Sequence, residues 1–371
     1  MSDMLSYAKI VKNIGVDPRY QKSKLCYNPF PAIPVFSLYC PDTSSLCTTA
    51  TTIFPVKAKK LENILRRAVQ STKSTIIFIE GSQGIGKSHF LGEVATNCEF
   101  LGLFPIFCQI YTGGGFSDIT DRALQWLGLE GYTQLMLSFV KAIGLSELEI
   151  FQKNPYTIFH ELIPMFQHAF NMQDRKVLER ILRPFLNLDI GYSALFQTSH
   201  KYKNLILVTL IHLIWKTLSK KTLLVIDNLE NRWPYFTTLN KAHFLSNMKI
   251  FVNSTNGKVI MMLSDDGQIS KYLIRELKDI NVELSIQRLK LPRLTIAKSI
   301  KLVSEYLQIA RIPQKKNYNL HPFTRESIKF IYNISNGNTR TFLVLCHDIL
   351  EEYVKSDHSK ITVNGTRKSL S

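Results

Sequence analysis

Residues 74–90 read Ser-Thr-Ile-Ile-Phe-Ile-Glu-Gly-Ser-Gln-Gly-Ile-Gly-Lys-Ser-His-Phe. The first seven, Ser74 to Glu80, are mostly apolar and rich in β-branched side chains, and Lys73 and Gly81 bound them. That pattern predicts a short strand buried on both faces. Gly81-Ser82-Gln83-Gly84-Ile85-Gly86-Lys87-Ser88 then fits the spacing GxxxxGK[ST] in full. The residue types have physical reasons. Glycines let the backbone pass through positive φ so that N–H groups face an anion. The N-terminus of a following helix adds a favourable dipole. Lys87 would reach the β- and γ-phosphates of a nucleotide, and Ser88 would ligate Mg2+. A helix is predicted over Lys87–Cys98, so the motif has the strand-before, helix-after context that separates a P-loop from a chance Gly-rich turn.

A P-loop needs a carboxylate on a second strand to hold its metal. Leu223-Leu224-Val225-Ile226-Asp227 is an apolar run ending in aspartate, and Asp227 is the expected metal residue. The next position, where many ATPases keep the glutamate that polarises the attacking water, holds Asn228. Glu230 follows two residues later. Either Glu230 acts as the base from a shifted position or hydrolysis is slow. A further strand, Lys258 to Leu263, ends in Ser264-Asp265-Asp266, and Ser264 is placed to sense a γ-phosphate or orient the water.

Around these motifs the chain reads as strands alternating with helices, which argues for a parallel α/β sheet. A helix is expected over Val56–Ser71 and a strand over Phe104–Tyr111, followed by a break at Gly113-Gly114-Gly115. Residues 117–220 are mostly helical in pattern: Asp118–Leu127, Tyr132–Ile143, Tyr156–Phe170, Asp174–Phe185 and Leu205–Ser219. Val282–Leu291 holds a last strand. Three helices close the pattern, Leu294–Leu307, Thr324–Ser335 and Arg340–Val354. The expected domains are an irregular leader (1–50, with Pro29, Pro31 and Pro34 forbidding continuous helix), a P-loop core (51–291, with a helical insertion at about 117–220), a small helical lid (292–356) and a basic tail (357–371).

The combination resembles the AAA+ ATPases, in the broad clade of origin-recognition initiators and transposition regulators. GSQGIGKS, LLVIDNLE, VIMMLS and Asn336-Gly337-Asn338-Thr339-Arg340 carry the resemblance, which covers about residues 27–355. It implies ATP with Mg2+ as the ligand and a sensor arginine, Arg340, at the start of a lid helix. A cation in a first helical turn opposes the helix dipole, which points to another partner for Arg340, such as a phosphate. Tyr27-Asn28-Pro29-Phe30 resembles the leader that lies near the adenine, and Phe54, in Phe54-Pro55-Val56, is the other candidate for that place. In an oligomer of this kind a neighbour supplies an arginine, and Arg275, in KYLIRELKD, sits at a plausible position. Initiators of the origin type carry a winged-helix domain after the lid, and the residues after 356 are too few to form one. Signalling ATPases of the STAND type share this layout without an arginine finger.

Of 371 residues, 46 are Lys or Arg and 29 are Asp or Glu, a formal net charge of +17. Such a balance suits a polyanionic partner, meaning nucleic acid (DNA is the expected one) or an acidic surface, and equally suits a generally Lys-rich composition, since the lysines are scattered. The clusters are short: Lys57, Lys59, Lys60, Arg66 and Arg67; Lys315 and Lys316; Arg367 and Lys368. None of the six cysteines forms a CxxC pair, which argues against a zinc site. Cys108 and Cys346 read as core residues, and reduced thiols are expected. The N-terminus lacks the apolar stretch of a signal peptide. The most apolar run, Leu205 to Trp215, is too short to span a bilayer. The expected protein is therefore cytoplasmic, or nuclear in a eukaryote. It would be an ATP-binding, slowly hydrolysing regulator that couples nucleotide state to assembly on DNA or with a nucleic-acid-processing partner, as a homo-oligomer or with another protein. The alternatives are a STAND-like switch and a non-catalytic subunit stapled by its nucleotide.

Overall fold

The computed structural model describes residues 17–32, 53–110, 115–146, 152–170, 174–188, 191–277, 284–311, 320–356 and 360–370, together with Ile150. Gly113, Gly114, Tyr111, Pro34, Cys40, Cys47, the Lys315–Lys316 pair and much of the leader lie outside them. By its internal contacts the chain divides into two units. One comprises Met1–Ala58, Gly81–Glu93 and Leu291–Ser371; the other comprises Lys59–Glu80 and Val94–Lys290.

The second unit holds a five-stranded sheet. Its strands are β1 (Ser74–Glu80), β2 (Leu103–Gln109), β3 (Lys221–Asp227), β4 (Val259–Asp265) and β5 (Leu284–Lys290). They lie in the order β2-β3-β4-β1-β5, and every pairing is parallel. The fold class is thus the expected one. β1, β3 and β4 are buried at all seven positions, which is why they read as continuous apolar runs rather than alternating ones. β5 forms an edge and is largely accessible.

Register sets the core. Ile106, Leu224, Met261 and Ile76 form one row across four strands, and Cys108, Ile226, Leu263 and Phe78 form the next. Both rows point into one apolar cluster that continues through the helices. α1 (Pro55–Gln70) precedes β1, α2 (Lys87–Asn97) follows the P-loop, and α3 (Ser117–Ala142), α4 (Pro155–Phe170), α5 (Arg175–Phe185) and α6 (His200–Leu218) occupy the stretch expected to be an insertion. Tyr132, Phe139, Phe166, Ile181 and Ile211 belong to the same cluster as the sheet rows. These helices therefore complete the core of the sheet.

Several boundaries moved for identifiable reasons. The two helices expected at Asp118–Leu127 and Tyr132–Ile143 are one stretch, α3, bent at Gly128 (φ 64°). β3 starts two residues before Leu223. Lys221 is buried at the first position of the strand, and its ammonium donates to Ala68 O at 2.8 Å and to Ser71 O, so two backbone carbonyls hold the buried charge. α6 starts five residues before Leu205. Its first turn buries Lys203, paired with Asp121 at 2.6 Å, and Asn204, which donates to Asn247 Oδ1 at 2.6 Å.

After the single turn α7 (Leu229–Arg232) come α8 (Thr238–Thr255) and α9 (Gln268–Leu277), neither of which the pattern reading named. α8 buries Phe244, Leu245, Met248, Phe251 and Val252, a helical stripe diluted by Asn240, Asn247 and Asn253, which are poor helix formers.

The first unit contains α10 (Ile296–Ile309), α11 (Arg325–Ser335), α12 (Thr339–Lys355) and α13 (Val363–Leu370). Side chains cap the starts of the first three: Thr295 accepts from Lys298 N, Thr324 and Ser327 form a reciprocal box, and Asn338 accepts from Thr341 N. Such caps are worth about 1 kcal/mol each. α13 lies in the stretch read as a tail; Thr366 is buried, and Arg367 sits 5.4 Å over the Phe330 ring. The described leader residues pack on this unit. Phe30 stacks on Tyr306 at 5.5 Å and meets Phe323 edge-on at 5.7 Å.

Cys26, Cys98, Cys108 and Cys346 are buried free thiols, and burial pushes the Cys98 thiol up to about 12. Among the described residues, no helix is long and apolar enough to cross a membrane.

Candidate functional site

In the first unit the P-loop leaves the end of β1 and turns into α2. Gly84 (φ 78°) and Gly86 (φ 107°) both use the left-handed region that an L side chain enters only with strain. Lys87 is buried, and its ammonium lies back over the loop, donating to Gly81 O at 2.7 Å and Ser82 O at 3.3 Å. The loop thus already holds its cation at the centre of its own carbonyls. Ile85 packs inward: a Cβ on Gly81 would stand 2.9 Å from Ile85 Cγ2. Ser82 and Gln83 are exposed, and Ser88 is half-buried in the first turn of α2.

Phe54 flanks the loop. Its ring is edge-on to Phe90 at 6.4 Å, a Cβ on Gly86 would lie 3.9 Å from it, and Lys298 Nζ stands 5.0 Å over its face. Burial lowers the pKa of Lys298, and Lys57 adds to the shift. Of the two aromatic candidates for a base-side position, Phe54 adjoins the loop, whereas Phe30 is packed among the lid aromatics.

The start of α12 meets the loop directly. Arg340 N donates to Gly84 O at 2.8 Å, Asn338 Nδ2 to Gln83 O at 2.8 Å, and Thr339 Oγ1 to Ile85 O at 3.0 Å. The Arg340 side chain is exposed, and its charge is felt at His89. Burial first, and Arg340 second, lower the His89 pKa to about 4. We expect His89 to be neutral at pH 7 and, in an NMR titration, to protonate only near pH 4. Arg340→Ala should raise its pKa only part of the way toward 6.5, because burial is the larger cause. A wild-type midpoint near 6.5 would refute this reading.

In the second unit, β4 lies between β1 and β3, so the end of β4 neighbours the ends of both. Ser264 pairs with Ile79, and Leu263 with Ile226. Asn228 takes a left-handed conformation (φ 71°) just after Asp227, and asparagine tolerates this where most residues do not. The turn carries Glu230 back onto Ser264: Asn228 N donates to Ser264 Oγ at 3.0 Å, and Ser264 Oγ donates to Glu230 Oε2. The two residues expected to act on water and γ-phosphate are therefore joined, with the hydroxyl proton of Ser264 committed to Glu230. Glu80, at the end of β1, accepts from Ser270 Oγ at 2.8 Å and from Arg288 Nε. Arg275 lies on the surface in α9, paired with Glu276 at 2.9 Å.

Asp227 is 1% exposed. Among the described residues its Oδ1 has no hydrogen-bond partner, and its Oδ2 accepts from Gln109 Nε2 at 3.5 Å. A buried carboxylate oxygen without a partner is costly, and a hard cation is the group that would satisfy it, so the residues present fit Mg2+. Among the described residues no three His, Cys, Asp or Glu side chains cluster to hold a metal. Mg2+ in phosphate sites commonly takes one or two protein carboxylates and fills the rest with phosphate and water.

Sequence reasoning passed over Gln109, His89 and the contacts of Asn338 and Thr339. Gln109 had a signal, a polar residue closing the apolar strand that runs beside Asp227.

Fold and motif together define a parallel α/β protein with a P-loop at the end of an interior strand. No protein-family model matches the sequence, and no curated protein matches it. Among solved structures, a chain of Drosophila ORC bound to DNA is similar over 85% of this chain, with 10% identity and a TM-score of 0.43. This chain spans 60% of that one. The Aeropyrum pernix ORC2 protein in its ADP form is similar over 96% of this chain and 73% of its own length, again at 10% identity and a TM-score of 0.43. Likeness at this level carries no functional assignment.

Proposed function

We propose that this chain is an AAA+-like nucleotide-binding regulator that takes ATP with Mg2+ and couples its nucleotide state to assembly on DNA or with a nucleic-acid-processing partner. The observation that carries the reading is the Gly81–Ser88 loop: a full GxxxxGK[ST] string at the end of a buried strand, with Gly84 and Gly86 at positive φ and Lys87 held inside. The amides of this loop would bind the phosphates, and Lys87 would exchange its carbonyl partners for phosphate oxygens. Ser88 and Asp227 would hold the metal, which would supply positive charge against the phosphates. Arg340 would report the γ-phosphate from the lid. The +17 net charge supports a polyanionic partner.

One feature favours slow turnover, and with it the STAND-like switch as a second reading. The position after Asp227 is Asn228, and Glu230 is occupied by the Ser264 hydroxyl.

Titration with a fluorescent ATP analogue, with Mg2+ and then with EDTA, tests the reading. Saturable binding that weakens without metal is expected. Absence of binding to ATP and ADP at millimolar concentration would sink it. Duplex DNA titrated across a salt series separates the two partner classes. Binding that falls steeply with salt supports the DNA regulator; no binding at low salt, with or without ATP, favours the switch.

A further inference from the structure

Three consecutive carbonyls of the P-loop are held by three consecutive residues of one unit's own lid. Asn338 Nδ2 donates to Gln83 O at 2.8 Å, Arg340 N to Gly84 O at 2.8 Å, and Thr339 Oγ1 to Ile85 O at 3.0 Å. A peptide unit is planar and trans, so its C=O and N–H point in opposite directions. The carbonyl of Gln83 shares its peptide unit with the N–H of Gly84, that of Gly84 with Ile85, and that of Ile85 with Gly86. Drawing the carbonyls of Gln83 and Ile85 toward α12 therefore turns the amides of Gly84 and Gly86 the other way, toward the side on which such a loop cradles phosphate. The Ile85 amide is engaged within the loop instead, in a long turn bond to Ser82 O at 3.4 Å.

We infer that Asn338 is a positioning residue for phosphate: with Thr339 and the Arg340 backbone, it sets the amides of the P-loop in their binding orientation before any nucleotide arrives. The inference rests on the nucleotide-binding reading above and deepens it. It gives the start of α12 a task separate from that of the Arg340 guanidinium, which lies on an exposed side chain.

Two further observations support it. Asn338 Oδ1 accepts from Thr341 N at 3.1 Å as the cap of α12. With the oxygen of the amide engaged there, the nitrogen must face the loop, so the same side chain ties the helix start to Gln83. The approach is also close: a Cβ on Gly84 would stand 2.5 Å from Asn338 Oδ1 and 3.1 Å from Arg340 Cβ. Only glycine lets the loop lie against the helix in this way. A nest arranged in advance loses less conformational freedom on binding, and affinity rises accordingly.

Asn338→Asp is the discriminating variant. It keeps the oxygen that caps α12 and replaces the donor to Gln83 with a second oxygen facing a carbonyl. Thr339→Val removes the neighbouring donor without touching the cap. Three quantities are measured: affinity for a fluorescent ATP analogue and for inorganic tripolyphosphate, amide hydrogen exchange of residues 82–86 in the nucleotide-free protein, and the melting temperature. For Asn338→Asp we expect a near-native melting temperature, faster exchange at Gly84 and Gly86, and weakening of both ligands on the order of tenfold, the loss of one well-made hydrogen bond plus repulsion. Thr339→Val should move the same readings less. Wild-type exchange in Asn338→Asp overturns the inference, whatever the affinity does, and so does faster exchange with unchanged affinity. If wild-type protein binds neither ligand, the nucleotide reading fails by itself. Exchange in the nucleotide-free variants then still decides whether the lid shapes the loop.

Discussion

Lys87→Ala is expected to weaken ATP-analogue binding by about 100-fold while leaving the nucleotide-free protein folded. Two charge-assisted hydrogen bonds to phosphate, at about 1.5–3 kcal/mol each, give a loss of this order once the partial exposure of a bound nucleotide is allowed for. The folded state should tolerate the change. The ammonium of Lys87 is satisfied by Gly81 O and Ser82 O, which are backbone groups of the same loop, and Ala removes a buried charge together with its donors. A fluorescence titration gives the affinity and a thermal melt the folding control. Affinity within twofold of wild type would remove the P-loop from the account. Steady-state phosphate release adds a second reading. A wild-type rate that falls in Lys87→Ala identifies a true ATPase, whereas equal rates in the two proteins leave a nucleotide that is bound and not turned over.

The largest loss of stability is expected from Gly257→Ala. Gly257 sits at φ 73° just after α8, and a Cβ there would stand 1.9 Å from Thr72 O and 2.7 Å from its carbonyl carbon. Both atoms belong to the backbone of the turn that leads into β1, so no side chain can swing away. The turn is tied further by Gly257 N donating to Ser74 Oγ at 3.2 Å. Left-handed strain alone costs about 1–2 kcal/mol, and displacing two backbone segments brings the loss to on the order of 4 kcal/mol or more. Gly102→Ala is the control. Gly102 has φ 75° but nothing within 4 Å of its would-be Cβ, so that variant isolates the strain. Chemical denaturation of both proteins reads the difference. Equal losses would mean that the Thr72 contact contributes nothing.

Much of the fold was legible in the sequence where burial is complete. Ser74–Glu80 was expected as a strand and is β1 with the same limits, because a strand covered on both faces carries its burial as an unbroken apolar run. The same holds for the cores of β3 and β4. Legibility failed where polar residues are buried with partners. Lys221 and Lys203 sit inside elements whose apolar pattern stops short of them, and the sequence gives no sign of the carbonyls or carboxylate that satisfy them. It failed again at α8, where asparagines interrupt the stripe Phe244–Met248–Phe251.

The candidate site divides along the same line. Lys87 and Asp227 could be named as candidates from residue type and distance to a strand end, and Arg340 from the resemblance of Asn336–Arg340 to the start of a sensor helix. The sequence alone determined that a nest of glycines, a lysine and a strand-end aspartate are present, and that Asn228 stands where a glutamate is common. The tertiary structure decided what these groups touch before a ligand arrives. Ser264 donates a hydrogen bond to Glu230, Asp227 has an oxygen without a partner among the described residues, and Asn338 holds Gln83 from 255 positions away in the chain. Such pairings depend on hydrogen-bond geometry between segments far apart in sequence. Composition and periodicity register the burial of each segment and not the direction of its donors, so only the folded chain could assign them.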